Sequence, residues 1–451
     1  MRILFFLPLT SHIRHFDSVL LTLADRGHTI RLATPGHATN WPLPQALAAH
    51  PQISEVTCPA ERSDRLTEFA RVVRAYADYQ RFRKPPFLQA GKLRARARGR
   101  FKQAAKEYEA VRAGSATAVA ARQEPDIPSD PGREDFLQEE RPDIVLASPL
   151  IELGSDQADW VKSAKALGIP VGFPVFSWDN LTTKGLVHVQ PDRVFVWNDI
   201  QKGEAVEYHG VADRNIVVTG APRFDAFIAL GVGSDRERFC RRYGLRAEHP
   251  IVTYLCSSEF VAGREVEFVR QWASEIGREP SLSDCNILVR PHPRALQDWI
   301  GLDVADWPNV AIARSKLLNA DQLLYDTLYH SAAVVGLNTS AQLEAGILGK
   351  PVYTILAPGF EAGQQGTLHF RYLLREEGGF VEVARDFDEH RRQLADAVRG
   401  RYDAAGIRTF IERFIRPAGW DRPATPILAD AIQRLASSVS ISSTPQHASL
   451  T

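Results

Sequence analysis

The chain lacks the features that mark several protein classes. Its four cysteines, Cys58, Cys240, Cys256 and Cys285, stand far apart with no CxxC pair, which argues against a zinc site or a disulfide framework and fits a reducing compartment. Neither sign of charge dominates: Lys+Arg and Asp+Glu are 54 each, so no global field draws the chain to nucleic acid or membrane. No apolar run reaches membrane-spanning length. The first, residues 3–7, is broken by Pro8, Ser11 and His12 and reads as a strand rather than a signal peptide. A cytoplasmic protein is expected. No GxGxxG follows that first strand, which disfavours a dinucleotide fold, and no repeat of solenoid period is present. Cys256 and Cys285 sit beside apolar strands and read as buried thiols.

What is present is an alternation of strands and helices. A length of 451 residues exceeds one ordinary core and implies two α/β domains of about 200 residues each. Residues 2–8 read as a strand, 16–25 as an amphipathic helix closed by Gly27, and 29–33 as a second strand, which is βαβ grammar. Runs at 143–147, 170–176, 193–197 and 215–220 add to this sheet. A second sheet takes its strands from 250–255, 286–289, 310–313, 332–336 and 351–356. Most of these runs are continuously apolar, as in parallel strands covered on both faces. The expected architecture is α/β: two Rossmann-like domains, residues 1–228 and 235–418, with parallel sheets facing across a cleft, the default ligand site. Residues 229–235 form a glycine-bearing hinge, 419–436 a helix returning to the N-terminal domain, and 437–451 a Ser/Thr-rich disordered tail.

One insert stands apart. Residues 81–112 hold eleven basic side chains, among them Lys92, Arg94, Arg96, Arg98 and Arg100, against only Glu107 and Glu109. Such a stretch suits peripheral contact with anionic lipid or an anionic acceptor; the plainer alternative is a solvated helical face.

The candidate chemistry collects in loops that follow strands. Between the strand at 332–335 and the helix carrying Leu343, Ile347 and Leu348 lies Gly336-Leu337-Asn338-Thr339-Ser340. Thr339 and Ser340 fall at the helix start, where they cap orphan N–H groups or the same groups hold a diphosphate. Glu344, a turn further in, suits the hydroxyls of a ribose. Arg290-Pro291-His292-Pro293 follows the 286–289 strand, and its prolines fix Arg290 and His292 on a rigid turn matched to phosphate oxygens. Ser257, after the 250–255 strand, offers a further hydroxyl. In the N-terminal half, His12 follows the first strand as a plausible general base. His12, His15 and Asp17 make a poor metal set, since nothing else supplies a partner cluster; His15 and Asp17 read as helix-entry residues. Phe176-Ser177-Trp178-Asp179-Asn180 through Lys184 packs polar groups around one tryptophan: Trp178 would stack on a sugar, Asn180 and Lys184 bind hydroxyls, and Asp179 act in proton transfer. An Asx-type turn is the alternative there. Residues 359–369, with three glycines and two glutamines, read as a mobile lid. Asp386-Phe387-Asp388 has DxD spacing but precedes a helix late in the chain and is taken as chance.

Three of these motifs resemble the GT-B-type glycosyltransferases, in particular those of capsule and surface-polysaccharide synthesis and the CDP-glycerol glycerophosphotransferases. Pro8 through His12 to Arg26-Gly27-His28 is similar to the first strand, catalytic-histidine loop and helix end of sugar-nucleotide transferases, with Ser11 where the family usually has Gly. Arg290-Pro291-His292-Pro293 resembles the RPHP or KPHP turn of the polysaccharide enzymes, and Asn338-Thr339-Ser340 through Glu344 and Gly349-Lys350-Pro351 their nucleotide-diphosphate helix. The insert has no counterpart.

The resemblance implies a donor nucleotide, NDP- or CMP-linked, in the C-terminal domain and a carbohydrate or lipid-linked acceptor in the N-terminal one. His12 would be the base, with Asp179 in reserve. Arg290, His292, Thr339 and Ser340 would hold the departing diphosphate, with no metal and no cofactor beyond the nucleotide-sugar co-substrate. Rival expectations are CDP-alditol glycerophosphate transfer, UDP-sugar 2-epimerisation, and a non-catalytic GT-B scaffold docking on membrane or partner.

Overall fold

Each continuous apolar run becomes a parallel strand; most are mainly buried, while Val310–Ile312 is half-buried. The computed structural model describes residues 1–440 apart from 37–41, 63, 112–123, 125–126, 155, 305–306, 308 and 315–319. The chain divides into two units: unit 1 holds Met1–Leu88, Leu93–Asp225 and residues from 414 onward, and unit 2 holds Gln89–Lys92 and Ala226–Arg413.

Unit 1 is built on β1 (Arg2–Phe6), β2 (Thr29–Thr34), β3 (Ile53–Thr57), β4 (Ile144–Ala147), β5 (Val171–Pro174), β6 (Arg193–Val196) and β7 (Ile216–Val218). They pair in the order β3-β2-β1-β4-β5-β6-β7, all parallel, with Phe5 level with Leu32 and Leu146. On one face Val19, Leu20 and Leu23 of the Asp17–Asp25 helix share a core with Leu428, Ile432 and Leu435 of the Ala424–Ser440 helix. On the other, Trp160 and Val161 of the Gln157–Ala166 helix meet Leu4, Val145 and Phe173. Each such side chain contributes roughly 1.5–3 kcal/mol on burial. The last helix is fastened beyond its apolar stripe: Ser18 Oγ lies 2.9 Å from Thr425 Oγ1, Arg26 pairs with Asp430 at 2.7 Å, and Gln433 Nε2 lies 2.8 Å from His28 Nε2. It runs to Ser440, past the start of the expected tail; residues 441–451 of that tail lie outside the described residues.

Unit 2 carries β8 (Ile251–Leu255), β9 (Asn286–Arg290), β10 (Val310–Ile312), β11 (Ala333–Val335), β12 (Val352–Ile355) and β13 (Val381–Ala384). Their order is β10-β9-β8-β11-β12-β13, again parallel, over a core that includes Tyr254, Trp272, Trp299 and Leu394. Cys256 and Cys285 are buried thiols in it.

Two strands escape the sequence pattern for one reason. β3 and β13 lie at sheet edges, and Ser54, Glu55 and Glu382 interrupt their apolar runs, so neither reads as a doubly covered strand. Strand order positions the sites: it reverses between β1 and β4 in unit 1 and between β8 and β11 in unit 2. Crevices at such reversals, beyond the carboxyl ends of strands, are where open α/β sheets bind ligands.

Candidate functional site

In unit 1 the chain leaves β1 through a short 3-10 helix, Thr10–His15, which lays two imidazoles on one ring. His12 stacks on Phe176 with centroids 4.8 Å apart, and His15 lies 4.6 Å from the same ring. Phe176 follows β5, so the β1 and β5 loops meet here. Lys184 Nζ lies 5.9 Å from the Phe176 centroid and pairs with Glu152, beyond β4. Burial holds the His15 imidazole well below its ordinary value, helped by Arg223, Arg14 and His12, so His15 is neutral near pH 7 while His12 is half-buried.

The 176–188 loop is held from behind. Arg81, at the end of the Arg65–Arg81 helix, donates to the carbonyls of Lys184 and Gly185 at 2.9 Å and to that of Leu181. Asp78, one turn earlier, accepts from the Gly154 and Leu186 N–H groups at 2.7 Å each and pairs with His188 at 3.0 Å. A Cβ on Gly185 would lie 2.8 Å from the Asp78 carboxylate, so a side chain there would displace the group that holds Gly154 and Leu186. Within the loop, Asp179 accepts from the Ser177 hydroxyl and, at 3.0 Å, from the Thr183 hydroxyl. Asn180 Oδ1 accepts from the Ser177 N–H at 3.2 Å. The structure thereby corrects part of the sugar-contact expectation: Trp178 is 6% exposed and Asn180 1%, so both shape the loop from inside and neither offers a face to a sugar ring. Asp179 and Lys184 remain half-exposed.

In unit 2 the three segments after β8, β9 and β11 lie side by side. Cys256 N–H donates to the Arg290 carbonyl at 3.0 Å, and Asn338 N–H to Ser257 Oγ at 3.3 Å. Arg290 donates to the Ala320 carbonyl at 3.3 Å and lines a small cavity of about 40 Å³ with Pro291, Pro293 and Ala313. Burial pulls its guanidinium down, opposed by Tyr243, Asp321 and Glu344. His292 Nδ1 accepts from the Arg294 N–H at 3.1 Å, so the imidazole caps its own turn.

The diphosphate loop differs from its expected form in detail. Gln342, not Thr339 or Ser340, caps it: its side chain accepts from the Thr339 N–H at 3.2 Å and donates to the Gly336 carbonyl at 3.1 Å. Ser340 is exposed at the N-cap of the helix Ala341–Ile347 and makes no side-chain cap bond. Glu344 is buried in that helix. Ser257 is 1% exposed, so its hydroxyl belongs to the interior and Ser258 is the more open neighbour.

The expected mobile lid is also corrected. Asn338 Nδ2 donates to the Gly363 carbonyl at 2.7 Å, and buried Gln364 donates to the carbonyls of Leu337 at 3.2 Å and Ile355 at 2.9 Å. These bonds pin the middle of the loop across β11 and β12. One pairing was missed from the sequence altogether: Glu265, at the start of the Glu265–Gly277 helix, accepts from the Ser257 N–H at 2.8 Å and the Tyr254 hydroxyl at 3.1 Å.

A groove of about 590 Å³ opens beside the pinned loop, lined by Gln89, Glu361, Gln365, Arg371, Glu376 and Glu377 among others. Among the described residues no group of three or more His, Cys, Asp or Glu side chains is gathered as a metal site would need. Asp386 caps the N-terminus of the Phe387–Val398 helix through the Glu389 N–H, and Asp388 pairs with Arg391. Neither aspartate of the DxD string faces a shared site with the other.

The two parallel-sheet units, each with a reversal of strand order, define a GT-B-type fold. Solved structures match over nearly the whole chain at low identity. A UDP-GlcNAc 2-epimerase from Neisseria meningitidis bound to UDP-GlcNAc is 11% identical, covers 96% of this chain and 100% of its own, and has a TM-score of 0.54. The S. aureus MnaA–UDP co-structure is 11% identical, with 97% of each chain covered and a TM-score of 0.55. A glycosyltransferase from Rickettsia africae is 11% identical over 97% of this chain and 98% of its own, with a TM-score of 0.53. No protein-family model and no curated protein sequence matches the chain. The likeness is one of fold.

Proposed function

We propose that the chain is a nucleotide-sugar-dependent glycosyltransferase that moves a sugar to a hydroxyl of a cell-envelope or capsule acceptor. The observation that carries this is the gathering of the 256–258, 290–292 and 336–340 segments at the strand reversal of unit 2, tied by the Asn338 to Ser257 bond. That edge combines an arginine, an imidazole and an exposed serine at a helix start, a chemistry suited to a nucleoside diphosphate.

In the proposed reaction the unit 2 crevice holds the donor and the unit 1 crevice the acceptor. His12 takes the proton of the acceptor hydroxyl as its oxygen bonds to the anomeric carbon, with Asp179 as reserve base. The bond from that carbon to the diphosphate breaks, and Arg290, His292 and Ser340 meet the charge that develops on the leaving oxygen. Asn338 and Thr339 hold the loop, and Glu344 serves the nucleoside side. No resident metal or cofactor enters these steps. The test is turnover of a panel of nucleotide-sugars with envelope glycan acceptors: His12→Ala should retain nucleotide affinity and lose turnover by about 10²–10⁴. Full activity in that variant would remove His12 from its role.

Epimerisation of a UDP-sugar is the second reading, supported by the Neisseria neighbour's name and bound sugar nucleotide. It predicts an epimeric nucleotide-sugar formed without any acceptor.

We further propose a cytoplasmic protein that meets the anionic inner face of a membrane through the helix Gly91–Val111. Arg94, Arg98, Lys102 and Lys106 recur every four residues along it, with Arg96, Arg98, Lys102 and Lys106 exposed, while Leu93, Ala97, Ala104 and Tyr108 are buried. Like charges at that spacing repel along a helix, and an anionic surface offsets the repulsion. Arg112 of the insert lies outside the described residues. Among the described residues no helix is long and apolar enough to cross a membrane.

A further inference from the structure

Behind the strand reversal of unit 2 sits a carboxyl that the proposed reaction leaves unused. Glu265 is 6% exposed. Its Oε1 accepts from the Tyr254 hydroxyl at 3.1 Å and its Oε2 from the Ser257 N–H at 2.8 Å. Ser257 Oγ in turn accepts from the Asn338 N–H at 3.3 Å. Ser257 thereby links the two, its main-chain N–H bonded to Glu265 and its hydroxyl oxygen to the loop after β11.

The ionisable groups facing Glu265 do not neutralise it. Tyr254 of β8 and Cys256 just after it are held protonated by burial, which lifts each well above its ordinary value with Glu265 adding to the rise. From the turn after β9, the His292 main-chain N–H reaches Cys256, and Arg290 at the end of β9 is bonded to the Ala320 carbonyl. On its own helix, Arg264 and Glu267 pair with each other at the surface at 2.8 Å. Lys92 donates to the carbonyls of Phe260 and Val261. Among the described residues no cation bonds to Glu265. Burial pushes its carboxyl up to about 7, against the hydrogen bonds from Ser257 and Tyr254, so both protonation states are populated near neutrality.

We propose that Glu265 couples the diphosphate site to a proton: an anion arriving at the ends of β8 and β11 drives protonation of this carboxyl, and protonation favours the anion. The inference rests on the donor-site assignment above. Its physical basis is that a second negative charge nearby disfavours an ionised carboxylate, and that low-dielectric surroundings enlarge the effect. The proton passes from solvent to a carboxylate oxygen and no other bond changes. By reciprocity, nucleotide affinity falls as pH rises through the carboxyl's titration. Glu265 is a positioning residue, acting on the ligand through Ser257.

The experiment is calorimetric titration of UDP-N-acetylglucosamine into the full chain at pH 7.5 in two buffers of different ionisation enthalpy. The diester phosphates of this probe do not titrate near neutrality. Wild type should take up roughly half a proton per nucleotide bound, falling towards zero at pH 5.5 where the carboxyl is already protonated. Glu265→Gln should bind with about zero uptake and with an affinity that no longer changes across pH 6.5–8.5. Should that variant fail to fold, the uptake is measured in His292→Gln, whose amide does not titrate: uptake that persists there belongs to Glu265, and its loss overturns the coupling. Binding without proton uptake by wild type, or the same uptake in Glu265→Gln, overturns the coupling and leaves the donor site standing. Absence of binding by wild type of this probe and of the corresponding GDP- and CDP-linked sugars, titrated in turn, overturns the donor-site assignment and the coupling with it.

Discussion

Asn338 and Gly363 are joined by a 2.7 Å hydrogen bond from the amide Nδ2 to the main-chain carbonyl, and this bond exists because residue 363 has no side chain. A Cβ there would lie 2.2 Å from the Val261 carbonyl oxygen, a contact that backbone must move to relieve. Gly363→Ala is expected to lower stability by about 1–3 kcal/mol and to weaken nucleotide binding by freeing Asn338. Thermal melts with and without nucleotide check this. An unchanged melting temperature together with unchanged affinity would show that the loop tolerates the shift.

Arg74 is enclosed in unit 1 with no exposed surface, 2.5 Å from Asp159 and 2.6 Å from Glu124, while Arg133 and Lys162 complete the network at 3.1 and 2.8 Å. Removing the central cation leaves Asp159 to Arg133 and Glu124 to Lys162, two enclosed carboxylates each short of a partner. Arg74→Met should destabilise unit 1 by about 3–5 kcal/mol, and adding Asp159→Asn should recover part of the loss. Urea unfolding followed through tryptophan fluorescence reads both.

Stability should respond to acid through buried neutral imidazoles. Burial depresses His15 and His209 well below their ordinary value and His390 down to about 3. A depressed imidazole leaves the unfolded chain binding more protons, so the stability it contributes is present above about pH 6.5 and is lost as pH falls towards 3. Glu265, raised to about 7, acts in the opposite sense: its contribution is present below about pH 4.5 and is lost as pH rises to 7. His390 Nε2 accepts from the Trp272 indole N–H at 2.9 Å. His390→Gln can retain that acceptor without titrating, and should flatten the acid limb of melting temperature against pH. An acid limb as steep as in wild type would contradict the assignment.

The basic helix makes a separate prediction. Sedimentation with vesicles containing phosphatidylserine should carry the wild-type chain down at low salt and release it as ionic strength rises. Arg98→Glu with Lys102→Glu should abolish sedimentation while leaving the melting temperature within about 1 °C, because both side chains are exposed. Binding that survives charge reversal would place any lipid contact elsewhere.

How far the sequence reveals this molecule depends on what each residue faces. Doubly covered strands such as β1, β4, β8 and β12 declare themselves as unbroken apolar runs, and with them the two-sheet α/β fold. Edge strands β3 and β13 do not, since solvent admits Ser54, Glu55 and Glu382. The loops that carry Arg290, His292, Ser340 and Asn338 are legible because strand-end segments of this architecture collect polar groups, and hydrogen bonds through Cys256 and Ser257 join them. Burial is less legible: nothing in the local pattern shows that Trp178 and Asn180 turn inward or that Gln342 takes the capping role of a serine. Glu265 is invisible for the same reason. One glutamate at a helix start is ordinary until the fold encloses it behind Ser257.

Binding of a nucleoside diphosphate at the carboxyl edge around Ser257, Arg290 and Asn338 is read by calorimetric titration of UDP, CDP and GDP into wild type and Arg290→Ala. At least one nucleotide should bind wild type, and Arg290→Ala, folded to the same melting temperature, should bind it at least about tenfold more weakly. Equal affinities in the two proteins, or no binding of any of the three by wild type, would contradict it.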